Sequence, residues 1–264
     1  MTAEPYDVII IGGGPAGLNA ALVLGRCRRR VLLCDAGAPR NAASGGVHGF
    51  LSRDGILPLE LLRLGREELV PYGVEYRHVS VSEARPEGDG FVILADNGKR
   101  LCCRKLLLAT GVKDKVPKIE NIERFYGRSV FHCPYCDGWE MRDQPLAAYG
   151  QGKSAVGLAR SLLTWTDDVV LCTDGARTPA ANGIRVISKR IARLEGTEDV
   201  LERIVFTDGE ILPRRGNVLQ HGTGAALRPA RKIRVCVHTE KCRSHRPIRR
   251  HQRTRTLRSG RRLP

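Results

Sequence analysis

The sequence predicts an α/β fold with two Rossmann-like dinucleotide-binding units of three-layer ββα type, and three observations predict it. A glycine-rich turn, Gly12-Gly13-Gly14-Pro15-Ala16-Gly17, follows an apolar run near the start of the 264-residue chain. A second turn, Gly150-Gln151-Gly152-Lys153-Ser154-Ala155, follows another apolar run, with Gly150 standing 138 residues after Gly12. Between the two turns lies Cys133-Pro134-Tyr135-Cys136, a CxxC pair that can hold two electrons as a dithiol.

Tyr6 to Ile11 reads as a buried parallel strand, β-branched, apolar and ended by glycine. Pro15 to Arg26 reads as a helix with Leu18, Ala21 and Leu22 on one face, and Gly25 permits close packing there. Arg30 to Asp35 is a second strand whose terminal acid stands 23 residues after Gly12. Strand, glycine turn, helix, strand and acid are together the context that a dinucleotide fingerprint requires. In that context Gly12 makes the tight turn, Gly14 lets the backbone approach a pyrophosphate, and Gly17 lets helix pack on strand. The phosphates face the free N–H groups of the helix, and Asp35 accepts a hydrogen bond from the adenosine ribose.

Residues 91–105 read as a hairpin around Asp96-Asn97-Gly98, and Leu106 to Gly111 as a further buried strand. The unit then repeats. Leu146 to Tyr149 is a strand, residues 150–155 the turn, Ala155 to Leu163 a helix, and Val169 to Cys172 a strand that runs into Thr173-Asp174-Gly175. Two dinucleotide sites flanking a CxxC describe a path from NADPH or NADH through FAD to a disulfide.

The nine cysteines show no regular spacing outside the CxxC, which points to catalytic or free thiols in a reducing compartment. Cys27, Cys34 and Cys172 are expected to pack as small apolar groups, and at least one of Cys102 and Cys103 to be buried. No second CxxC or histidine pair joins Cys133, Cys136 and His132, so no metal is expected. No apolar run reaches the ~20 residues that span a bilayer, and the first strand lacks a basic leader. No membrane association and a cytoplasmic location are therefore expected.

With DVIIIGGGPAGLNAAL, DAGAPRN, HGFLSRDG, LLLATGVKD and FHCPYCDGWE in view, the chain resembles low-molecular-weight thioredoxin reductases. It is closer still to their thioredoxin-reductase-like relatives, including fungal dithiol oxidases of gliotoxin type. The resemblance covers about residues 5–215. It implies a flavin domain split by an inserted nicotinamide domain: 1–113 for the FAD-binding segment, 114–215 for the NAD(P)-binding domain with the CxxC. It implies that Cys136 faces the flavin, that Cys133 attacks the substrate disulfide, and that Asp137 protonates the leaving thiolate. Arg40, Asn41, Thr110 and Gly111 match flavin-contacting positions, and His48 is expected to be a structural or flavin-shelf hydrogen bonder. Gly150, Gly152, Ser154 and Ala155 would hold the nicotinamide dinucleotide. A homodimer is expected, and the external partner is a small dithiol or disulfide or a thioredoxin-like protein.

Two departures bear on specificity. The basic cluster that grips a 2′-phosphate in the family is replaced by Thr173-Asp174-Gly175-Ala176-Arg177. Asp174 would repel that phosphate and could hold the free hydroxyl of NADH, whereas Arg177 could serve NADPH. Pro134-Tyr135 replaces the small pair usual in true thioredoxin reductases, which argues against thioredoxin itself.

Residues 216–264 stand apart. They hold 14 Lys and Arg against one acid, Glu240, and so supply +13 of the net charge of +16. They contain no aromatic residue and no apolar period, and are expected to form a basic tail outside the fold. The C-terminal flavin segment implied by the resemblance is missing from them. Back-translated with permitted third bases and read one base forward, Gln252–Pro264 gives NVPGLYVAGDAS and Gly216–Gly224 gives AMFFNTG. A frameshift near Arg215–Gly216 is the expected explanation, leaving FAD weakly held or the product inactive. The competing reading is a nucleotide-binding module with a nucleic-acid-binding arm. The absence of aromatics for base stacking weighs against nucleic acid as a partner.

Overall fold

The computed structural model describes residues 4–220 and the backbone of two short strands at 228–229 and 234–235. Its first unit opens with β1 (Tyr6–Ile11), α1 (Pro15–Arg26), β2 (Val31–Asp35), α2 (Pro58–Glu67) and β3 (Glu75–His78). A meander follows, β4 (Val81–Glu87), β5 (Gly90–Ala95) and β6 (Arg100–Leu108), and then β7 (Val112–Lys113). The next elements are α3 (Ile122–Phe125), β8 (Val130–Phe131), α4 (Pro134–Asp137), β9 (Leu146–Tyr149), α5 (Gly152–Leu162), β10 (Val169–Cys172) and β11 (Arg185–Ile187). A second meander, β12 (Ile191–Thr197), β13 (Val200–Phe206) and β14 (Ile211–Pro213), leads to β15 (Gly216–Leu219). Two short strands, β16 (Arg228–Pro229) and β17 (Arg234–Val235), pair with β7 and β4.

β1 lies between β2 and β6, parallel to both, with Ile10 opposite Leu33 and Leu107. Because successive side chains alternate across a strand, Ile10 packs with Leu18, Ala21 and Leu62 on the helical face. Ile9 and Ile11 pack with Val81, Ala84 and Ile93 under the meander. Helices, parallel sheet and meander form three layers around the first core.

The second unit repeats this plan in a five-stranded parallel sheet of order β11-β10-β9-β15-β8. Leu146 and Ala148 of β9 face Ala155, Val156, Ala159 and Leu162 of α5, while Ala147 faces Leu194, Leu201 and Ile204 of the second meander. Among the described residues no helix is long and apolar enough to cross a membrane.

Three expectations need correction. The tail does not begin at 216: Gly216–Leu219 is a buried strand, parallel to both β9 and β8. Those four residues carry no charge, and the crowded arginines that argued against folding lie further on. The two readings of residues 221–264, frameshift product and nucleic-acid-binding arm, fall on side chains outside the described residues. Secondly, residues 100–108 are one continuous strand that serves both the meander and the parallel sheet. From Lys105 to Leu108 it pairs with β1 on one edge, and among the described residues nothing pairs with the other. Leu107 and Leu108 are therefore substantially exposed rather than buried. Thirdly, Cys27 is exposed at the end of α1, whereas Cys34, Cys103 and Cys172 are buried as expected. Burial pushes the Cys103 thiol up to about 11 and those of Cys34 and Cys172 to about 12, which leaves all three unreactive near neutrality.

Candidate active site

At the first glycine turn the backbone leaves no alternative to glycine at two positions. Gly12 has φ +110°, and a Cβ there would lie 2.2 Å from the Ala109 carbonyl oxygen. At Gly17 it would lie 1.8 Å from the Gly12 carbonyl oxygen. A Cβ on Gly14 would meet nothing within 4 Å, so this is the open side of the turn, where a pyrophosphate could approach. No side chain caps the N-terminus of α1, which includes Pro15, Ala16 and Gly17. Its N–H groups are free for an anion. Asp35 accepts a hydrogen bond from the Gly13 N–H at 3.0 Å through one carboxylate oxygen. Thr110 and Gly111 follow the end of β6, and the Thr110 Cα lies beside the Gly12 turn. These residues fit the adenosine and pyrophosphate portion of a dinucleotide.

The CxxC sits at the start of the one-turn helix α4, whose N-cap is Cys133. Cys133 and Cys136 are joined as a disulfide with their Cα atoms 5.2 Å apart. α4 is held from outside by Trp165, whose ring carbons would lie 2.7 Å from a Cβ on Gly138. Tyr135 meets the same indole edge-on at 5.6 Å. Trp139, the other tryptophan, is largely exposed and carries the Arg142 guanidinium over its ring at 4.4 Å.

Both cysteines and Asp137 line a cavity of about 370 Å³, together with Pro15, Arg40, Asn41 and His48 from the first unit. The structure thus brings the N-terminal turn, the DAGAPRN segment and the CxxC to one place. Burial, reinforced by the neighbouring Glu140 and opposed by His48, raises the Asp137 carboxyl to about 6. It can therefore hold or release a proton near neutral pH.

Two residues of this cavity, Asp114 and Tyr126, were not expected from sequence. Arg40 donates two hydrogen bonds to Asp114, both at 2.7 Å. The Tyr126 hydroxyl also donates to Asp114 at 2.7 Å and lies 3.3 Å from His132 Nδ1. The single hydroxyl proton goes to the carboxylate, which leaves the oxygen's lone pairs toward His132. Burial opposes ionisation of Asp114, but the hydrogen bonds from Arg40 and Tyr126 outweigh it and hold the carboxyl below its ordinary range. Arg40 and Asp114 are 74 residues apart, so no local pattern could have announced the pair.

The second glycine turn is fixed differently. Gly152 has φ +67° with open space around it, and Ala155 is fully buried at the helix–sheet contact, as a dinucleotide turn requires. The Gln151 N–H donates to Gln220 Oε1 at 2.7 Å, and that side chain lies against Gly150. Ser154 stands in the first turn of α5. Asp174 is turned inward: it accepts from the Tyr149 hydroxyl at 2.9 Å and from the Ile191 N–H at 3.3 Å. Arg177 is exposed beyond it.

A family profile described as pyridine nucleotide-disulphide oxidoreductase matches residues 6–237. The chain belongs to that family. Within the pyridine nucleotide-disulphide oxidoreductases, a relative in Arthroderma benhamiae is 35% identical over 177 residues, which are 64% of this chain and 44% of that protein. The thioredoxin reductase tcpT of Claviceps purpurea is 28% identical over 79% of this chain and 68% of its own length. Among solved structures, an oxidoreductase from Agrobacterium tumefaciens superposes with a TM-score of 0.76 at 34% identity, over 82% of this chain and 75% of that one. The chain thus spans less than half the length of the first of these relatives.

Proposed function

We propose that the chain is a thioredoxin-reductase-like oxidoreductase, moving electrons from NADH or NADPH by way of FAD to Cys133–Cys136 and on to an external disulfide. In the opposite direction the same site would oxidise a dithiol. One observation carries the reading: the disulfide and Asp137 share a cavity with Pro15 and Arg40 beside the first glycine turn. FAD, when bound, would supply two-electron exchange with both a nicotinamide and a thiol pair.

The chain's own residues have separate tasks in this reading. The free N–H groups of α1 and the carboxylate of Asp35 hold the dinucleotide. Arg40, fixed by Asp114, and Asn41 orient it against the CxxC. Cys136 exchanges electrons on the cofactor side and Cys133 forms the mixed disulfide with substrate. Asp137 gives a proton to the departing thiolate. Residues 150–155 hold the nicotinamide dinucleotide. Tyr135, nearly four-fifths exposed beside Cys133, supports a small disulfide or dithiol as the partner over a protein that needs a flat approach. The names of the relatives support thioredoxin-like proteins as the other candidate, and a homodimer is the assembly in keeping with the family resemblance.

The test is the visible spectrum of the purified protein with FAD, before and after anaerobic NADH or NADPH. A flavin spectrum that bleaches, and does so differently in Cys136→Ser, supports the path. A protein that takes up no flavin refutes it.

A further inference from the structure

His48 stands at a contact between the two units. Its Nδ1 lies 3.5 Å from Glu140 Oε1 and 3.9 Å from Asp54 Oδ1, and its Nε2 faces Gly46. Asp54 is already engaged by the Gly49 N–H at 2.7 Å and is mostly exposed, so Glu140 is the closer partner. His48 comes from the loop after β2 and Glu140 from the turn after α4, so the contact joins the two units beside the disulfide.

Two cavities meet at this contact. The first holds Cys133, Cys136, Asp137 and His48. The second, about 360 Å³, is lined by His48, Asp137 and Glu140 with Arg128 and Asp199. Asp137 thus has one side toward the sulfurs and another toward a cavity walled by the His48–Glu140 pair. The side chains of His48 and Glu140 are 26% and 38% exposed, so both reach water, and Asp137 between them and the sulfurs is half-buried.

We propose that His48 and Glu140 are the positioning residues that reload Asp137 with its proton from solvent. The inference rests on the reading of Asp137 as proton donor. In the step concerned, the Cys133 thiolate attacks an external disulfide. A new S–S bond forms, the old one breaks, and the departing thiolate takes the proton of Asp137 to leave as a thiol. The resulting carboxylate recovers a proton from His48, which takes one from water through the second cavity. The titratable and charged groups that share the two cavities with Asp137 are His48, Glu140, Tyr126, His132, Arg40, Asp114, Arg128 and Asp199; burial aside, Glu140 raises the Asp137 carboxyl and His48 lowers it. Removing the negative charge of Glu140 should favour the carboxylate, and removing the cationic form of His48 should favour the acid.

The experiment needs no bound cofactor. The chain is reduced and the reductant removed. Closure of the CxxC is then followed by quenched alkylation and mass analysis of the tryptic peptide Ser129–Arg142, whose only cysteines are Cys133 and Cys136. Two probes are compared from pH 5 to 9. Cystamine has an alkyl leaving thiolate that needs a proton. The aromatic disulfide 5,5′-dithiobis(2-nitrobenzoate) has a leaving thiolate that does not. In Glu140→Gln the fall-off of the cystamine-to-aromatic rate ratio should move to lower pH, and in His48→Gln to higher pH, each by roughly half a unit. Ratio profiles that superimpose on the unmodified chain, or two probes slowed in equal proportion, overturn the proposal. If Asp137→Asn also leaves the ratio unchanged, it is the proton-donor reading itself that fails.

Discussion

The two glycine turns solve one problem with different parts. In the first, the Gly13 N–H is held by Asp35, the acid at the end of the neighbouring strand β2. In the second, the corresponding Gln151 N–H is held by Gln220, at the end of the strand on the other side, β15. Asp174, one residue past the position that matches Asp35, is drawn inward by Tyr149 and Ile191. The first turn is locked by backbone against backbone, the second by a replaceable side chain. A dinucleotide turn therefore needs its N–H groups oriented, but the source of the acceptor is negotiable. An acid at the end of the second strand is no guarantee that a ribose will meet it.

This contrast can be broken most severely at the first turn. Gly12→Ala combines a left-handed backbone with overlap on the Ala109 carbonyl, and should cost at least about 3 kcal/mol in chemical denaturation. Gly150→Ala has no left-handed backbone to strain; it meets the movable Gln220 Oε1 at 2.1 Å and the fixed Gln220 Cβ at 2.5 Å, and should cost about 1–2 kcal/mol. Equal losses would sink the distinction. A double-mutant cycle sharpens it: in a Gln220→Gly background, which removes the Cβ as well as the amide, the cost of Gly150→Ala should shrink by about half or more.

The seam between the units is open to a pH test. The Asp137 carboxyl is raised to about 6 in the folded chain, chiefly by burial, from an ordinary value near 3.8. The folded state then binds the extra proton between those two values, so stability from this group is present at low pH and lost as pH rises through 6. Asp137→Asn should stabilise the chain at pH 8 by up to about 2 kcal/mol, allowing for solvent screening, and by little at pH 4. Thermal unfolding at the two pH values reads the difference.

Smaller effects should come from the acceptors themselves. Asp174→Asn weakens two internal hydrogen bonds and should cost about 1–2 kcal/mol even without nucleotide. Gln220→Ala removes one neutral bond and should cost about 1 kcal/mol or less.

The first unit was largely legible because its signals are local. Strand, turn and helix follow one another within 26 residues, and Asp35 does lie beside the turn. The CxxC at a helix start was legible for the same reason. The contacts that complete the cavity were not, since Arg40–Asp114 and His48–Glu140 join segments remote in sequence. Gly216–Leu219 was hidden by averaging: four uncharged residues were pooled with a strongly basic stretch. Leu107 and Leu108 were misjudged because an apolar triplet announces a strand but not how many neighbours it has. Asp174 lies in the turn after β10, but the partners that decide which way its carboxylate faces, Tyr149 and Ile191, are remote in sequence.

Trp165 over Gly138 has one more consequence. The chain has two tryptophans, and both stand at the redox helix, one clamped against it and one just beyond it. Disulfides quench nearby indole emission, whereas thiols do so far less. The chain therefore contains its own optical gauge of whether Cys133 and Cys136 are joined, readable in ordinary buffer without label or added chromophore.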